Sequence, residues 1–135
     1  MPDISLVDLS KYRLSKACDM LVSAQRDLAA GDNASANNRA YYCIFHAIRA
    51  VLSLDGLDFK KHSTVIATFS QRYLKTEVFE RGFGVLINSA SLIRNRSDYE
   101  DFYVCSVEDT KRLIEGAAQF LDAVKAFLSM TYDRN

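Results

Sequence analysis

Apolar side chains recur along this chain at intervals of three to five residues and rarely at intervals of two. Leu6, Leu9, Leu14, Ala17, Leu21, Ala24 and Leu28 share one loose face, with Arg13, Lys16, Gln25 and Arg26 left for the rest of the cylinder. This spacing predicts a first helix over 5–30. Gly31 supplies a C-cap without a Cβ penalty, and Asp32 or Asn33 can cap the helix that follows. That second helix is expected over 34–54, where Tyr41, Phe45, Ile48 and Leu52 follow the i, i+4, i+7, i+11 rule and Tyr42 and Ile44 widen the stripe. A stripe this broad suits burial against more than one neighbour. Asp55–Gly56 marks a turn, and 57–61 is a loop that becomes basic at Lys60 and Lys61. A third helix is expected over 63–75 on Val65, Ile66, Phe69 and Tyr73. The signal weakens around Gly82 and Gly84, then resumes from Val85 through Ile93. Residues 95–105, polar, acidic and aromatic, read as a helix end and a connection. Ser106 with Asp109 three positions later is a capping-box-like start. Beyond it Leu113, Ala117, Phe120, Val124 and Phe127 form one stripe, with Ile114, Leu121 and Leu128 beside it, in a helix expected to reach about Met130. Two adjacent stripes on a terminal helix are enough to face both the core and a partner subunit.

No segment alternates with a period of two for long enough to need a sheet. The expected fold is all-α, an antiparallel up-and-down bundle of four to five helices in one domain spanning 1–135. The single proline is Pro2, so no later helix is interrupted by a missing donor. A chain of 135 residues, 49% hydrophobic and 25% charged, can bury a core of its own. Cys18, Cys43 and Cys105 are too scattered for a disulfide framework or a zinc site and read as small hydrophobes in a reducing compartment. With no signal-peptide pattern and no long apolar run, a cytoplasmic protein away from membranes is expected. The 17 basic residues are balanced by 17 acidic ones. A nucleic-acid contact must therefore rely on a local patch rather than on net charge.

Candidate chemistry is sparse. Neither a phosphate-binding glycine loop nor a nucleophile elbow nor a metal-ligand spacing is present, so no metal and no cofactor is expected. His46 lies on the aromatic second helix, where a packing role is the simpler reading. His62 opens the third helix beside Lys60 and Lys61, a setting that suits either a solvated cap or an anion site. The densest group is Arg94-Asn95-Arg96-Ser97-Asp98-Tyr99-Glu100-Asp101. Arg94 offers a planar fork that suits phosphate, Asn95 both a donor and an acceptor, and Tyr99 a phenol able to donate or to stack. Alternatively, Arg94 and Asp98 are one helical turn apart and can simply pair.

Three stretches together resemble the HEPN superfamily, in particular its small stand-alone prokaryotic members. Ala30-Gly31-Asp32 with Asn38-Arg39-Ala40-Tyr41-Tyr42-Cys43-Ile44-Phe45-His46-Ala47 is similar to that family's turn and aromatic second helix. Lys60-Lys61-His62-Ser63 with Phe69 is similar to its Lys-x-His helix start, and Arg94 to Tyr99 to the Arg-x-x-x-Asp-Tyr signature of one branch. The resemblance implies a homodimer whose polar motif residues face a shared cleft. Many such relatives are metal-independent endoribonuclease toxins neutralised by a partner, often a small nucleotidyltransferase. In those nucleases an arginine and a histidine are separated by four to six residues. Here the corresponding window after Arg94 holds Tyr99, Glu100 and Asp101, and that after Arg96 holds Asp101, Phe102 and Tyr103. Three readings stand side by side. One is a dimeric nucleotide- or RNA-binding or regulatory module paired with a nucleotidyltransferase. The second is an endoribonuclease in which Arg94 acts with Tyr99 or with a histidine brought from elsewhere. In the third the helical domain is purely structural. Candidate ligand-binding residues are Arg94, Asn95, Asp98, Tyr99, His46, Lys61 and His62; the catalytic candidates are Arg94 and Tyr99.

Overall fold

The computed structural model describes residues 4–134; Pro2 lies outside them. Five helices follow one another: α1 (Ile4–Ala29), α2 (Asn33–Leu54), α3 (His62–Phe69), α4 (Phe83–Tyr99) and α5 (Val107–Asp133), with no strand among the described residues. Between α1 and α2 the chain reverses within three residues. Gly31 takes a φ of +81°, which a side chain would strain, and the Asp32 N–H reaches back to the Asp27 carbonyl at 2.9 Å. Asp32 then accepts from the Ser35 N–H at 3.1 Å and so caps α2. Gly56 repeats the device at the far end of α2, at φ +70°, with the Leu57 N–H on the Leu52 carbonyl. Ser106 caps α5 by accepting from the Asp109 N–H at 3.0 Å.

α2 is the central helix. Thirteen of its 22 residues are buried, and α1, α3, α4 and α5 all pack against it. Its wide apolar stripe is explained by that position. Ser10, fully buried on α1, donates to the Ala50 carbonyl at 2.7 Å and meets the Tyr132 hydroxyl at 2.6 Å, tying α1, α2 and α5 together. An aromatic cluster joins α3, α4 and α5: Phe120 of α5 lies 5.7 Å from Phe69 and 5.1 Å from Phe83, centre to centre, with Phe79 beside them. Burial pushes the Cys43 thiol up to about 12, so it stays protonated and unreactive.

Three boundaries differ from the sequence reading. The third helix is regular only to Phe69 and continues as a wide turn, Ser70–Leu74, closed by the Lys75 N–H on the Ser70 carbonyl at 2.9 Å. The fourth continues past Ile93 to Tyr99, because Arg94–Asp98 and Arg96–Glu100 pairs one turn apart support a polar last turn. The last helix extends to Asp133. Both of its stripes are spent inside the chain: Leu113, Ala117, Phe120 and Val124 are buried, and so are Ile114, Leu121 and Leu128. The second stripe therefore gives no free face for a partner subunit.

Phe120→Ala would empty a fully buried site at the meeting of α3, α4 and α5. A loss of about 3–5 kcal/mol is expected in equilibrium chemical denaturation, against under ~0.5 kcal/mol for the exposed Gln119→Ala.

Candidate functional site: a cleft around Arg94 and His62

The polar residues of interest converge where α4 crosses the start of α3 and the middle of α2. Arg94, half-buried, lies over two tyrosine faces, its guanidinium carbon 4.9 Å from the Tyr41 ring centre and 5.6 Å from that of Tyr42. The negative face of an aromatic ring is one of the few neutral surfaces that holds a cation when water is withdrawn. Its Nη1 lies 3.2 Å from His62 Nδ1, and the Tyr41 hydroxyl is 2.9 Å from the same nitrogen. A guanidinium can only donate, so Nδ1 carries a lone pair and the proton of the neutral ring is on Nε2. Tyr41 must then also donate to Nδ1.

Burial, then the positive charges of Arg94 and Arg49, hold the His62 pKa below the usual histidine value. His62 is therefore neutral at pH 7. Its ring is stacked on Phe45, 4.0 Å between centres and 24° between planes, which fixes its orientation. Asp98, one turn beyond Arg94, stands 3.8 Å from its Nε, at the outer limit of an ion pair.

Arg94, His62 and Tyr41 line a cleft of about 430 Å³ together with Ser63, Asn88, Ser91 and Asn95. No carboxylate lines it. Asn88, Ser91 and Asn95 are three and four positions apart on α4 and so form one polar row along the helix. The lining is thus rich in donors and carries one fixed cation, an arrangement that favours an anion with many acceptor oxygens.

The loop that delivers His62 is held from behind. Asp58 accepts from Arg13 Nη2 at 3.0 Å and from Arg49 through Nε and Nη2 at 3.3 and 2.9 Å. Arg13, buried on α1, also donates to the Ser53 hydroxyl at 2.7 Å. Burial works against the Asp58 carboxylate, but hydrogen bonds from Arg49 and both arginine charges outweigh it and hold its pKa below the ordinary value.

Of the residues singled out in the sequence, Arg94, Asn95 and His62 line this cleft and Asp98 stands behind it. Tyr99 does not join them. It ends α4 with 85% of its surface exposed, so the structure gives no support for a Tyr99–Arg94 pair. Lys61 precedes α3 with its side chain in solvent and outside the cleft lining. His46 lies one turn from Tyr42 on α2, packed against the Tyr42 and Phe45 rings. Burial first, then Lys16 and Arg49, push its pKa down to about 4, so it is a neutral packing residue and not part of the cleft lining. Sequence reasoning missed Asn88 and Ser91 as site residues, although their spacing from Asn95 was a usable signal. It also missed Arg49 and Asp58, for which no local signal exists. Among the described residues no three His, Cys, Asp or Glu side chains converge as a metal site would require, and no helix is long and apolar enough to cross a membrane.

Residues 10–127 match the family model of the HEPN domain. The chain belongs to the HEPN family. A UPF0332 protein of Thermotoga maritima is 35% identical over 94 residues, covering 70% of this chain and 71% of its own. Two proteins of Methanocaldococcus jannaschii carry the names "Putative toxin MJ0142" and "Putative toxin MJ0605". The first is 27% identical over 128 residues, 89% of this chain and 87% of that one. The second is 32% identical over 90 residues, 67% and 66% respectively. The matched HEPN region contains all of α2, α3 and α4, and with them every side chain of the cleft.

Because the Arg94 charge, after burial, helps to depress the His62 pKa, Arg94→Ala is expected to raise it. Imidazole resonances followed by NMR from pH 4 to 8 would read this shift; an unchanged His62 titration would mean the two groups do not face each other in solution.

Proposed function

We propose that this HEPN domain binds phosphate groups of RNA or of a nucleotide in the Arg94–His62 cleft, as the working part of a toxin-type or regulatory module. The observation that carries the reading is the 3.2 Å contact between Arg94 and His62, made across 32 residues inside a donor-lined cleft free of carboxylates. An arginine fork matches phosphate oxygens, and Asn88, Asn95, Ser63 and Ser91 supply neutral donors around it. A volume near 430 Å³ is within the range of small-ligand sites. The names of the two archaeal relatives support a toxin-type role, and with it a neutralising partner. A small nucleotidyltransferase is the partner that the family resemblance implies.

Self-association is part of the same reading. Val85, Leu92 and Tyr99 are exposed at intervals of seven along α4, next to the polar row of Asn88, Ser91 and Asn95, and Phe102 and Val104 extend the apolar surface beyond the helix. A second copy laid along that row would cover apolar surface that a lone chain leaves in water, and would bring two Arg94 clefts to one face.

Metal-independent RNA cleavage is the second reading, favoured by one observation: the fold brings a histidine to Arg94 although the sequence window after it has none. In the resting site, however, the basic lone pair of His62 is occupied by Arg94 and Tyr41. A general base would be released only when a phosphate draws the guanidinium away; His62 would then take the 2′-hydroxyl proton as the 2′-oxygen attacks phosphorus, the P–O5′ bond would break with the 5′-oxygen taking a proton from water, and Arg94 would neutralise the phosphorane charge.

Arg94→Ala should weaken binding of a labelled RNA oligonucleotide about 10- to 100-fold in fluorescence anisotropy, the loss expected for a charge-assisted pair. Unchanged affinity would remove the phosphate reading. Incubating the same RNA with protein in EDTA separates the second reading from the first: cleavage by wild type but not by His62→Ala supports a nuclease, and intact RNA with tight binding supports a module that only binds.

A further inference from the structure

His62 borders two clefts, not one. On its other side lies a second recess of about 350 Å³, lined by Phe45, Arg49, Asp58, Phe59, Lys60 and His62. None of its groups has a part in the Arg94 contact other than His62 itself. Phe59 presents 37% of its surface at the rim, an unusual exposure for a phenylalanine on a loop that is otherwise pinned. That loop is held from beneath by Asp58 through two arginines. The Phe59 N–H also donates to its neighbour's carboxylate at 3.0 Å, so the ring stands on an ordered support. Lys60 is exposed, and no carboxylate among the described residues pairs with it. In the lining, two cations (Arg49 and Lys60) stand against the single carboxylate Asp58, which is also paired from beneath by the buried Arg13. A chain with zero net charge therefore carries a positive patch at this point.

We infer that this second recess receives the nucleotide adjacent to the phosphate held at Arg94, so that the ligand is a stretch of single-stranded nucleic acid and not a free mononucleotide. The inference rests on the phosphate reading of the Arg94 cleft and extends it. Two recesses that share the His62 ring in their linings suit successive positions on one strand. The chemistry of the second recess is that of single-strand recognition: an exposed aromatic face on which any base can stack, and an unpaired ammonium for the next phosphate. His62, fixed by its stacking on Phe45, becomes the wall between the two nucleotides, with its Nε2 proton available to the strand that passes over it.

The test compares a fluorescent hexauridylate with uridine monophosphate on the full chain. Phe59→Ala should weaken hexauridylate binding about tenfold or more and leave monophosphate binding unchanged, with Phe59→Trp restoring it. Lys60→Ala should lower the slope of log affinity against log salt by about 0.7, the signature of one lost phosphate contact to a single strand. Both side chains lie at the surface, and circular dichroism would verify that the variants fold. Hexauridylate binding unaffected by Phe59→Ala and Lys60→Ala but abolished by Arg94→Ala would overturn the second subsite and leave the first cleft standing. Equal losses on hexauridylate and monophosphate would also overturn it, by placing Phe59 in the same subsite as Arg94. Failure of Arg94→Ala to affect either ligand would instead overturn the reading on which the inference rests.

Discussion

A guanidinium can be drawn into the side of a helical bundle only if the surroundings replace part of its hydration without cancelling its charge. Arg94 meets this condition with two tyrosine faces, one imidazole nitrogen and a distant carboxylate. Had Asp98 closed on it in a bidentate pair, the cation would be neutralised and of no use to an incoming anion. At 3.8 Å the acid steadies the group and leaves most of its donors free. The cost of partial burial is met by aromatic contacts that have no charge of their own. The rest of the site follows from this arrangement. The tautomer of His62 traces to the cation next to it, and its neutral state to burial first and then to that same charge.

The fold was largely legible in the sequence because periodicity and capping are local. The reversal at Gly31–Asp32, the turn at Asp55–Gly56 and the start at Ser106 all rest on residues within a few positions of one another, and each is found where the spacing placed it. Boundaries slipped where pairing or packing overrode composition. The polar end of α4 stays helical through ion pairs that look like loop chemistry when read residue by residue. The two stripes of α5 could be read as core plus interface, and only the placement of α1, α2 and α4 against them settles that both are core.

The site was legible in its parts and not in its assembly. Arg94 and His62 each stood out for their chemistry, yet the contact between them depends on how a loop seven residues long and two helix crossings place groups 32 residues apart. Tyr41 is instructive: it was read as a member of an apolar stripe, which it is, but its hydroxyl also reaches His62. A phenol serves both purposes, and the stripe reveals only one of them. Tyr99 shows the converse, since proximity in sequence to Arg94 suggested partnership and the helical twist turned it outward.

The wide turn from Ser70 to Leu74 has a consequence for how this architecture tolerates change. A helix end that closes a six-residue loop where five would do holds one residue beyond the regular repeat. Leu74, its last residue, and Phe79, five positions on, are both buried. In this chain the segment between the third and fourth helices is thus a place where gain or loss of one residue would act on the packing of Phe69, Phe79 and Phe120, and not on loop length alone.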